Sequence, residues 1–243
     1  MFPRLLVFDL DGTLIDSQID LANSVNATLE HLGKPKLPLA VIAGYIGDGV
    51  SMLVRRALGD PEGDIHDEEY VNAAVNYFLE YYRVHKLDFT YVYEGVKEAL
   101  EEIRRDFPET PMAVLTNKPV RASREICAAL GLDRFFFQIY GGNSFHTKKP
   151  DPVGLLKLME EASTLLGGGA AGVVAEATVM VGDSDVDVLT ARNCGAHSIG
   201  CSFGLAPERL AAAGAEQVVS SPREWPKALR ELAAGELPRP YPM

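Results

Sequence analysis

Short apolar runs recur along the chain, and each is followed by a glycine or a polar turn. Within a run the apolar residues are continuous rather than alternating, which is typical of strands covered on both faces in a parallel sheet. The clear runs are residues 5–8, 112–115, 135–140 and 178–181, and the weaker candidates are 197–200 and 217–219. Because helical patterns separate the runs, we predict an α/β fold built on a doubly wound, mostly parallel, Rossmann-like sheet.

The helices between these strands are readable from the spacing of apolar residues. The segment 94–107 places its apolar residues on one face and ends before Pro108. The segment 122–131 has the same spacing and stops at Gly131, a residue type favoured just past the end of a helix. We expect these helices to cover the sheet.

Residues 17–89 break the alternation, because long helical stretches follow one another there without a good strand between them. We therefore expect a small all-helical cap domain inserted after the first strand. The catalytic core domain would comprise residues 1–16 and 90–234, and residues 235–243 would form a tail. Both connections of the cap lie beside the carboxyl end of the first strand, where ligands bind in open α/β sheets.

Composition and charge narrow the possible partners. The 243 residues are 47% hydrophobic and 23% charged, near the average for a globular protein, so disorder is not indicated. The net charge of −11 argues against nucleic acid as the main partner, because phosphate backbones are bound by clustered Lys and Arg. An anionic ligand must therefore meet a locally basic site.

The expected cellular compartment of the protein follows from its cysteines and from the lengths of its apolar runs. Cys127, Cys194 and Cys201 form no CxxC pair and suit a reducing compartment. No apolar stretch approaches the ~20 residues of a membrane span, and Asp9 interrupts the first run too early for a signal peptide. We expect a cytoplasmic protein, monomeric or homodimeric, with no membrane partner.

The first candidate site is the segment DLDGT, residues 9–13. Asp9 and Asp11 are two residues apart in an extended segment, so their side chains point the same way. Adjacent carboxylates destabilise each other unless one is protonated or a cation lies between them, and Mg²⁺ suits such oxygen ligands. Gly12 would let the chain turn, and Thr13 would offer a hydroxyl and an N–H group to an anion. A helix N-cap with solvated acids also explains this segment taken alone.

A second acidic segment, VGDSDVD at residues 181–187, strengthens the metal interpretation. Asp183 follows another apolar run and would complete the metal site. Asp187 would begin a helix, either as a cap or as a residue that orients other groups. Asp185 is expected to be a surface acid.

Two further segments offer donors for a phosphoryl group. Thr116 and Asn117 end the second apolar run, where a hydroxyl and an amide would hold phosphate oxygens, although an ordinary turn is the simpler explanation of this pair alone. Lys148 and Lys149 stand just before a helix start bounded by proline. One of these lysines would offset the carboxylate charge and clamp a transferring phosphoryl group.

These four segments occur in the order DxDGT, T/S-N, K-P and GDxxxD, each at the end of an apolar run. With this order the chain resembles the haloacid dehalogenase superfamily of phosphohydrolases over about residues 4–230. The helical insertion is similar to the cap that follows the first motif of that superfamily. The resemblance implies a phosphoric monoester hydrolase that uses Mg²⁺.

The resemblance also implies roles for the acids. Asp9 would attack phosphorus and form an aspartyl-phosphate, and Asp11 would protonate the leaving oxygen and then activate water. The Asp9 carboxylate, the Asp11 backbone carbonyl and Asp183 would hold Mg²⁺. Asp11 itself favours phosphoryl transfer, because the haloacid dehalogenases proper lack this second acid.

The same resemblance implies that Thr116 and Lys149 bind the transferring group. Lys149 is preferred to Lys148 because it directly precedes a proline, as the lysine of the family does. The supporting residues would be Asn117 and Ser184, as further contacts, and Asp187, which would steady Lys149.

Substrate choice is expected to come from the cap. Residues 43–59, AGYIGDGVSMLVRRALG, look like the cap loop and helix of phosphoglycolate phosphatases. This likeness implies that Gly47, Asp48 and Gly49 face the site and that Arg56 meets a substrate carboxylate. A solvated helix face would also explain Arg56.

We therefore predict a Mg²⁺-dependent phosphatase of a small phosphorylated metabolite, with 2-phosphoglycolate the best single candidate. A pyrophosphatase, a sugar-phosphate phosphatase and a β-phosphoglucomutase-like phosphotransferase are alternatives that share the nucleophile. A non-catalytic phosphate-binding protein is an alternative from another class. The motifs TNKP and GGN, at residues 116–119 and 141–143, add to the likeness, but Asn143 stands where many relatives have Asp.

Overall fold

The computed structural model describes residues 3–65, 67–167 and 172–235. Its strands, in chain order, are β1 (Leu5–Phe8), β2 (Ile15–Asp16), β3 (Tyr91–Val92), β4 (Met112–Leu115), β5 (Gln138–Tyr140), β6 (Thr178–Gly182), β7 (His197–Cys201) and β8 (Gln217–Val219). Six of them form a parallel sheet in the order β5-β4-β1-β6-β7-β8. The predicted α/β fold with a doubly wound sheet is confirmed.

The strand order reverses at β1. From β1 the chain passes to β4 and β5 on one side, and then returns to β6, β7 and β8 on the other. The carboxyl ends of β1, β4 and β6 therefore meet at a topological switch point, where open α/β sheets form their ligand crevices. The segments that follow these three strands carry most of the candidate site residues.

Helices cover both faces of the sheet. In chain order they are α1 (Gln18–His31), α2 (Leu39–Ala43), α3 (Val50–Ala57), α4 (Glu68–His85), α5 (Val96–Asp106), α6 (Val120–Ala129), α7 (Val153–Leu165), α8 (Asp185–Cys194), α9 (Leu210–Ala213) and α10 (Trp225–Ala234). Leu6 and Phe8 of β1 pack into one apolar cluster and Leu5 and Val7 into another, which explains the continuous apolar runs. On the first face Trp225 is fully buried, with its ring centroid 5.4 Å from that of Phe8.

The insertion between β2 and β3 is helical, and its helices α1 to α4 pack mainly on one another. This agrees with the expected cap, although the division into a core domain and a cap domain at residues 17–89 stays a prediction. Of the expected tail, residues 236–243 lie outside the described residues. No helix within the described residues is long and apolar enough to cross a membrane.

A short antiparallel ribbon of β2 and β3 joins the two connections between sheet and insertion, and apolar spacing did not predict it. Asp20, in the first turn of α1, reinforces this junction. Its buried carboxylate accepts hydrogen bonds from the backbone N–H groups of Phe89 and Thr90, at 3.0 and 2.8 Å, and from the Thr90 hydroxyl at 2.6 Å. The entry and exit of the insertion are therefore tied together by one side chain.

Candidate active site

The acidic segment after β1 turns sharply at Gly12. This glycine has φ = +85°, a backbone conformation that disfavours other residues, and a Cβ atom there would lie 2.1 Å from the Asp183 carboxylate. The absence of a side chain therefore lets the segment after β1 approach the segment after β6. Thr13, fully buried, places its hydroxyl 3.5 Å from Asp183 Oδ1 and so faces a carboxylate in this arrangement.

Lys149 joins two of the predicted acids. Its ammonium lies 2.8 Å from Asp9 Oδ1 and 2.5 Å from Asp187 Oδ1, and all three side chains are buried. Asp187 also accepts hydrogen bonds from the Ser184 hydroxyl at 2.8 Å and the Ser184 N–H at 3.1 Å, which caps α8. The geometry places Asp187 where it can steady Lys149, as the sequence suggested.

Three buried carboxylates, from Asp9, Asp183 and Asp187, bring oxygen atoms within 4.8 Å of one another. Burial raises the pKa of Asp9 to about 6, against the lowering effect of Lys149. Burial, together with the charges of Asp187 and Asp9, raises the pKa of Asp183 well above its usual range. Both pKa values are raised chiefly because burial disfavours the charged form of a carboxyl group, and the neighbouring carboxylates add to the rise.

The donor set fits a hard divalent cation. The acids Asp9, Asp11, Asp183 and Asp187 meet two buried lysines, Lys118 and Lys149, which leaves a formal charge of −2 when all are ionised. Carboxylate oxygens at the end of a buried strand are the ligands that Mg²⁺ prefers. The third clustered carboxylate is that of Asp187, whereas Asp11 was expected to contribute its backbone carbonyl, a role that stays a prediction.

Asp11 turns its carboxylate away from this cluster toward Lys118, a residue that motif reasoning did not select. The Lys118 ammonium lies 3.0 Å from both Asp11 oxygens, and the Ser17 hydroxyl donates to Asp11 at 2.5 Å. Lys118 also lies 4.7 Å from the centroid of the Tyr82 ring, a cation–π contact. Lys118 lies two residues after Thr116, the same spacing that separates Asp9 and Asp11, but this spacing alone does not place Lys118 in the cleft.

A cleft lies between the sheet edge and the helical insertion, with a cavity volume of about 40 Å³. The polar side chains that line it are Asp9, Asp11, Thr116, Asn117, Lys118, Asp183 and Ser184. Its apolar wall comes from Leu21, Ile46, Val50, Leu53 and Leu205. Lys149 contacts Asp9 but is not among the described residues that line the cleft. The structure thus gathers the predicted acids and the TNK segment around one small cleft.

The loop before α3 closes over the cleft through contacts with the core. Gly47 and Gly49 line the cleft, as expected. The Asn117 side-chain amide donates to the Gly47 carbonyl at 3.1 Å and to the Lys149 carbonyl at 3.0 Å. Lys148 donates to the Asp48 carbonyl. Asn117 therefore holds the loop and the lysine segment together in this arrangement.

Arg56 and Asp48 pair with each other instead of pointing into the cleft. The Arg56 guanidinium lies 2.5 Å from Asp48 Oδ2 and donates to the Tyr45 carbonyl at 2.9 Å. Neither side chain is among the described residues that line the cleft. Their assignment as substrate contacts stays a prediction that this arrangement does not favour, because their polar groups already have partners.

Asn143 lies away from the acids. Its side-chain oxygen accepts a hydrogen bond from the Val120 N–H at 2.9 Å, at the first residue of α6. An aspartate oxygen would accept the same bond. The departure from the family pattern at this position therefore keeps the loop geometry.

The sequence profile of the haloacid dehalogenase-like hydrolases matches residues 6–201. This chain belongs to that family. The family resemblance inferred from the four motifs is thus confirmed.

Relatives of this haloacid dehalogenase-like hydrolase share most of its length. The phosphoglycolate phosphatase of Pseudomonas putida is 38% identical over 204 residues, which cover 83% of this chain and 70% of the relative. That of Chromobacterium violaceum is 36% identical over 218 residues, which cover 90% of this chain and 92% of the relative. A crystal structure of a predicted phosphoglycolate phosphatase from Haemophilus somnus superposes with a TM-score of 0.82 at 26% identity, covering 93% of this chain and 97% of the other.

Proposed function

We propose that this hydrolase is a Mg²⁺-dependent phosphatase that cleaves a small phosphate monoester, 2-phosphoglycolate above all, through an aspartyl-phosphate on Asp9. The observation that carries the proposal is the meeting of Asp9, Asp11 and Thr116 in one cleft at the switch point of the sheet. Family membership and the similar phosphoglycolate phosphatases support the phosphatase class.

In the first half-reaction a carboxylate oxygen of Asp9 attacks phosphorus, and the bond from phosphorus to the ester oxygen breaks. Asp11 gives its proton to that oxygen, so the leaving group departs as an alcohol. Thr116 donates its hydroxyl to a phosphoryl oxygen. Lys149, 2.8 Å from Asp9, holds the nucleophile and adds positive charge where the phosphoryl group arrives.

In the second half-reaction water attacks the aspartyl-phosphate. Asp11, now ionised, takes a proton from that water, and the bond between phosphorus and the Asp9 oxygen breaks. Inorganic phosphate leaves, and the Asp9 carboxylate is restored. Asp11 thus acts as acid and then as base on the same face of the cleft.

Asp9, Asp183 and the Asp11 carbonyl are the groups that would hold Mg²⁺. When bound, Mg²⁺ supplies the positive charge that lets a phosphate dianion approach a cleft lined by carboxylates. The Asp183 carboxylate is fixed for this purpose by the Leu205 N–H at 2.7 Å and the Ala206 N–H at 3.3 Å.

The size and lining of the cleft favour a small substrate. A cavity of about 40 Å³ is small, so a compact substrate suits the cleft in this arrangement better than a hexose phosphate. The insertion contributes mainly apolar side chains, so the hydroxyl groups of a sugar would find few partners. A two-carbon leaving group is less affected by either feature than a sugar. We keep a cytoplasmic location and a monomeric or homodimeric state as expectations.

The test is phosphate release by the purified protein in Mg²⁺ from 2-phosphoglycolate, pyrophosphate, glucose 6-phosphate and β-glucose 1-phosphate. We expect kcat/KM to be highest for 2-phosphoglycolate. Activity on glucose 6-phosphate or pyrophosphate alone would reassign the substrate. Conversion of β-glucose 1-phosphate to glucose 6-phosphate without free phosphate would indicate a phosphotransferase, and no release from any of these compounds would contradict the phosphatase.

A further inference from the structure

The cleft contains one lysine that the phosphatase mechanism does not use. Lys118 is the only cationic side chain among the described residues that line the cleft, because Lys149 contacts Asp9 without lining the cleft. Its side chain is only 3% exposed. Burying an ammonium is costly unless its N–H groups have partners, so a buried lysine at a ligand-binding surface calls for an explanation.

The position of Lys118 relative to Asp11 shows which part of a substrate it would meet. Asp11 acts on the ester oxygen of the leaving group, and the Lys118 ammonium lies 3.0 Å from both oxygens of Asp11. In 2-phosphoglycolate a single methylene separates the ester oxygen from the carboxylate. A substrate carboxylate would therefore lie beside Lys118 when the ester oxygen lies beside Asp11.

Tyr82, which packs beside Lys118, gives a further indication of a ligand at this place. Its side chain lines the cleft from α4 and is 2% exposed, yet its hydroxyl oxygen has no hydrogen-bond partner of acceptable geometry. Buried hydroxyl groups without partners are uncommon in folded proteins. Burial raises the pKa of Tyr82 to about 12, with Lys118 opposing the rise, so the phenol stays protonated and can donate to an anion.

The cation expected from sequence, Arg56, is not available in this arrangement. Its guanidinium is already paired with Asp48 and the Tyr45 carbonyl. The ammonium of Lys118, by contrast, has three N–H donors and faces the cleft, so it can bind a substrate carboxylate in addition to Asp11 or in its place.

We propose that Lys118 and Tyr82 form the subsite for the substrate carboxylate, which makes short phosphorylated carboxylic acids the substrate class. The inference rests on the proposed phosphatase function and deepens it. Lys118 and Tyr82 bind the carboxylate end of the substrate. Asp9 and Thr116 act on the phosphoryl group, which is the part that is transferred.

The experiment compares kcat/KM for 2-phosphoglycolate with kcat/KM for ethyl phosphate, in which a methyl group replaces the carboxylate. The ratio of the two values isolates the carboxylate, because a disturbance of Asp11 or of the phosphoryl site affects both substrates alike. The variants are Lys118→Met, Lys118→Arg, Tyr82→Phe and, as the rival site, Arg56→Met. Circular dichroism and the melting temperature establish that each variant is folded.

We expect the wild-type enzyme to prefer 2-phosphoglycolate and Lys118→Met to lower that preference roughly 10- to 100-fold, as for loss of a hydrogen bond to a charged group. Tyr82→Phe, which keeps the ring, should lower the preference several-fold, and Lys118→Arg should retain part of it. If Lys118→Met does not fold, Tyr82→Phe and Lys118→Arg still decide the question.

Three results would overturn the subsite. They are a wild-type enzyme that hydrolyses both substrates equally, a preference that Lys118→Met and Tyr82→Phe leave unchanged, and a preference that is lost in Arg56→Met alone. In each of these cases the phosphatase itself stands. Absence of phosphate release from both substrates by the wild-type protein would instead reject the proposed function, and the subsite with it.

Discussion

Four carboxylates coexist in the cleft region because each has a different set of partners. Asp9 and Asp187 share Lys149, Asp11 faces Lys118 and Ser17, and Asp183 accepts backbone N–H groups after β7. These separate environments allow the acids to have separate functions although they are close together. Under the proposed mechanism Asp9 acts as nucleophile, and Asp11 exchanges protons with the leaving group.

Replacing Asp9 by Asn should remove turnover without weakening the fold. The amide keeps the shape of the side chain but is a poor nucleophile, so we expect kcat to fall at least about a thousandfold. The melting temperature should not fall, because burial disfavours the charged form of Asp9. Steady-state kinetics and thermal unfolding check both expectations.

The matched control is Asp185→Asn, which removes an acid whose side chain is 35% exposed, in the same acidic segment as Asp183. It should change kcat less than about twofold. Retained turnover in Asp9→Asn would contradict the nucleophile assignment, and an equal loss in both variants would point to net charge rather than to Asp9.

Replacing Asp11 by Asn should lower kcat by about 100-fold or more, since general acid–base catalysis typically contributes this much. The loss should be smaller for a substrate with a good leaving group, such as p-nitrophenyl phosphate, which needs no proton at the leaving oxygen. An equal loss for alkyl and nitrophenyl esters in single-turnover assays of the first half-reaction would argue against proton donation by Asp11.

At the residue scale, sequence reasoning could find the residues that belong to spaced motifs and could not find Lys118 as a cleft residue. Asp9, Asp11, Thr116 and Asp183 follow apolar runs, so parallel pairing brings them to one edge. Whether Lys118 enters the cleft depends on how the turn after β4 bends and on the arrival of Tyr82 from the insertion. Neither is encoded within the TNK segment itself.

At the scale of elements, predictions were accurate where a pattern is local and long enough to be periodic. The six sheet strands fall within or next to the predicted apolar runs, but β5 is shorter than its run at residues 135–140 because Phe135 ends a 3-10 turn and packs into the core. The β2–β3 ribbon was missed because each strand has two residues and the partners are about 75 residues apart in sequence.

The Asp20 junction should stabilise the connection between sheet and insertion. In Asp20→Ala the N–H groups of Phe89 and Thr90 lose their acceptors, and an unsatisfied buried donor costs about 1–3 kcal/mol. We expect a loss of about 3 kcal/mol in the free energy of unfolding, which corresponds to a fall of about 6–12 °C in melting temperature for a chain of this length.

A suitable control for this junction is Asp88→Asn, one residue before Phe89 in sequence. The Asp88 side chain is 49% exposed and pairs with His85, so its replacement should cost less than about 1 kcal/mol. Equal effects of the two replacements in urea unfolding would show that Asp20 adds nothing beyond an ordinary surface acid.

At the scale of the whole molecule, the chain has a net charge of −11 and is expected to bind an anion. The cleft region is itself negatively charged, because its acids outnumber its lysines, and this makes the binding of an anion more difficult. The net charge of the protein therefore does not favour the approach of an anion, and binding must depend on local cations within the cleft. Under the proposed function these cations are the metal and Lys118, while Lys149 acts through its contact with Asp9.

The acids of the cleft should therefore couple metal binding to stability and to pH. The folded-state pKa of Asp9 is raised to about 6, above its usual 3.8. Because ionised Asp9 is disfavoured in the folded protein, the metal-free protein loses stability as pH rises from about 3.8 to about 6. Mg²⁺ binds the ionised form, so its stabilising effect should be complete above pH 6 and should decrease as pH falls below it. At about 100 times the dissociation constant, the melting temperature at pH 7.5 should rise by about 5–10 °C.

Thermal unfolding at pH 7.5 and pH 5, with Mg²⁺ or with NaCl at matched ionic strength, measures this coupling. Asp183→Asn should remove most of the gain at pH 7.5, because it takes one carboxylate from the cluster while its neighbours remain. If Mg²⁺ raised the melting temperature equally at both pH values, or raised it as much in Asp183→Asn, it would act at another place on this acidic protein. A Mg²⁺-dependent rise in melting temperature that occurs only at pH 7.5 and requires Asp183 would show that Mg²⁺ acts at the excess negative charge of the cleft.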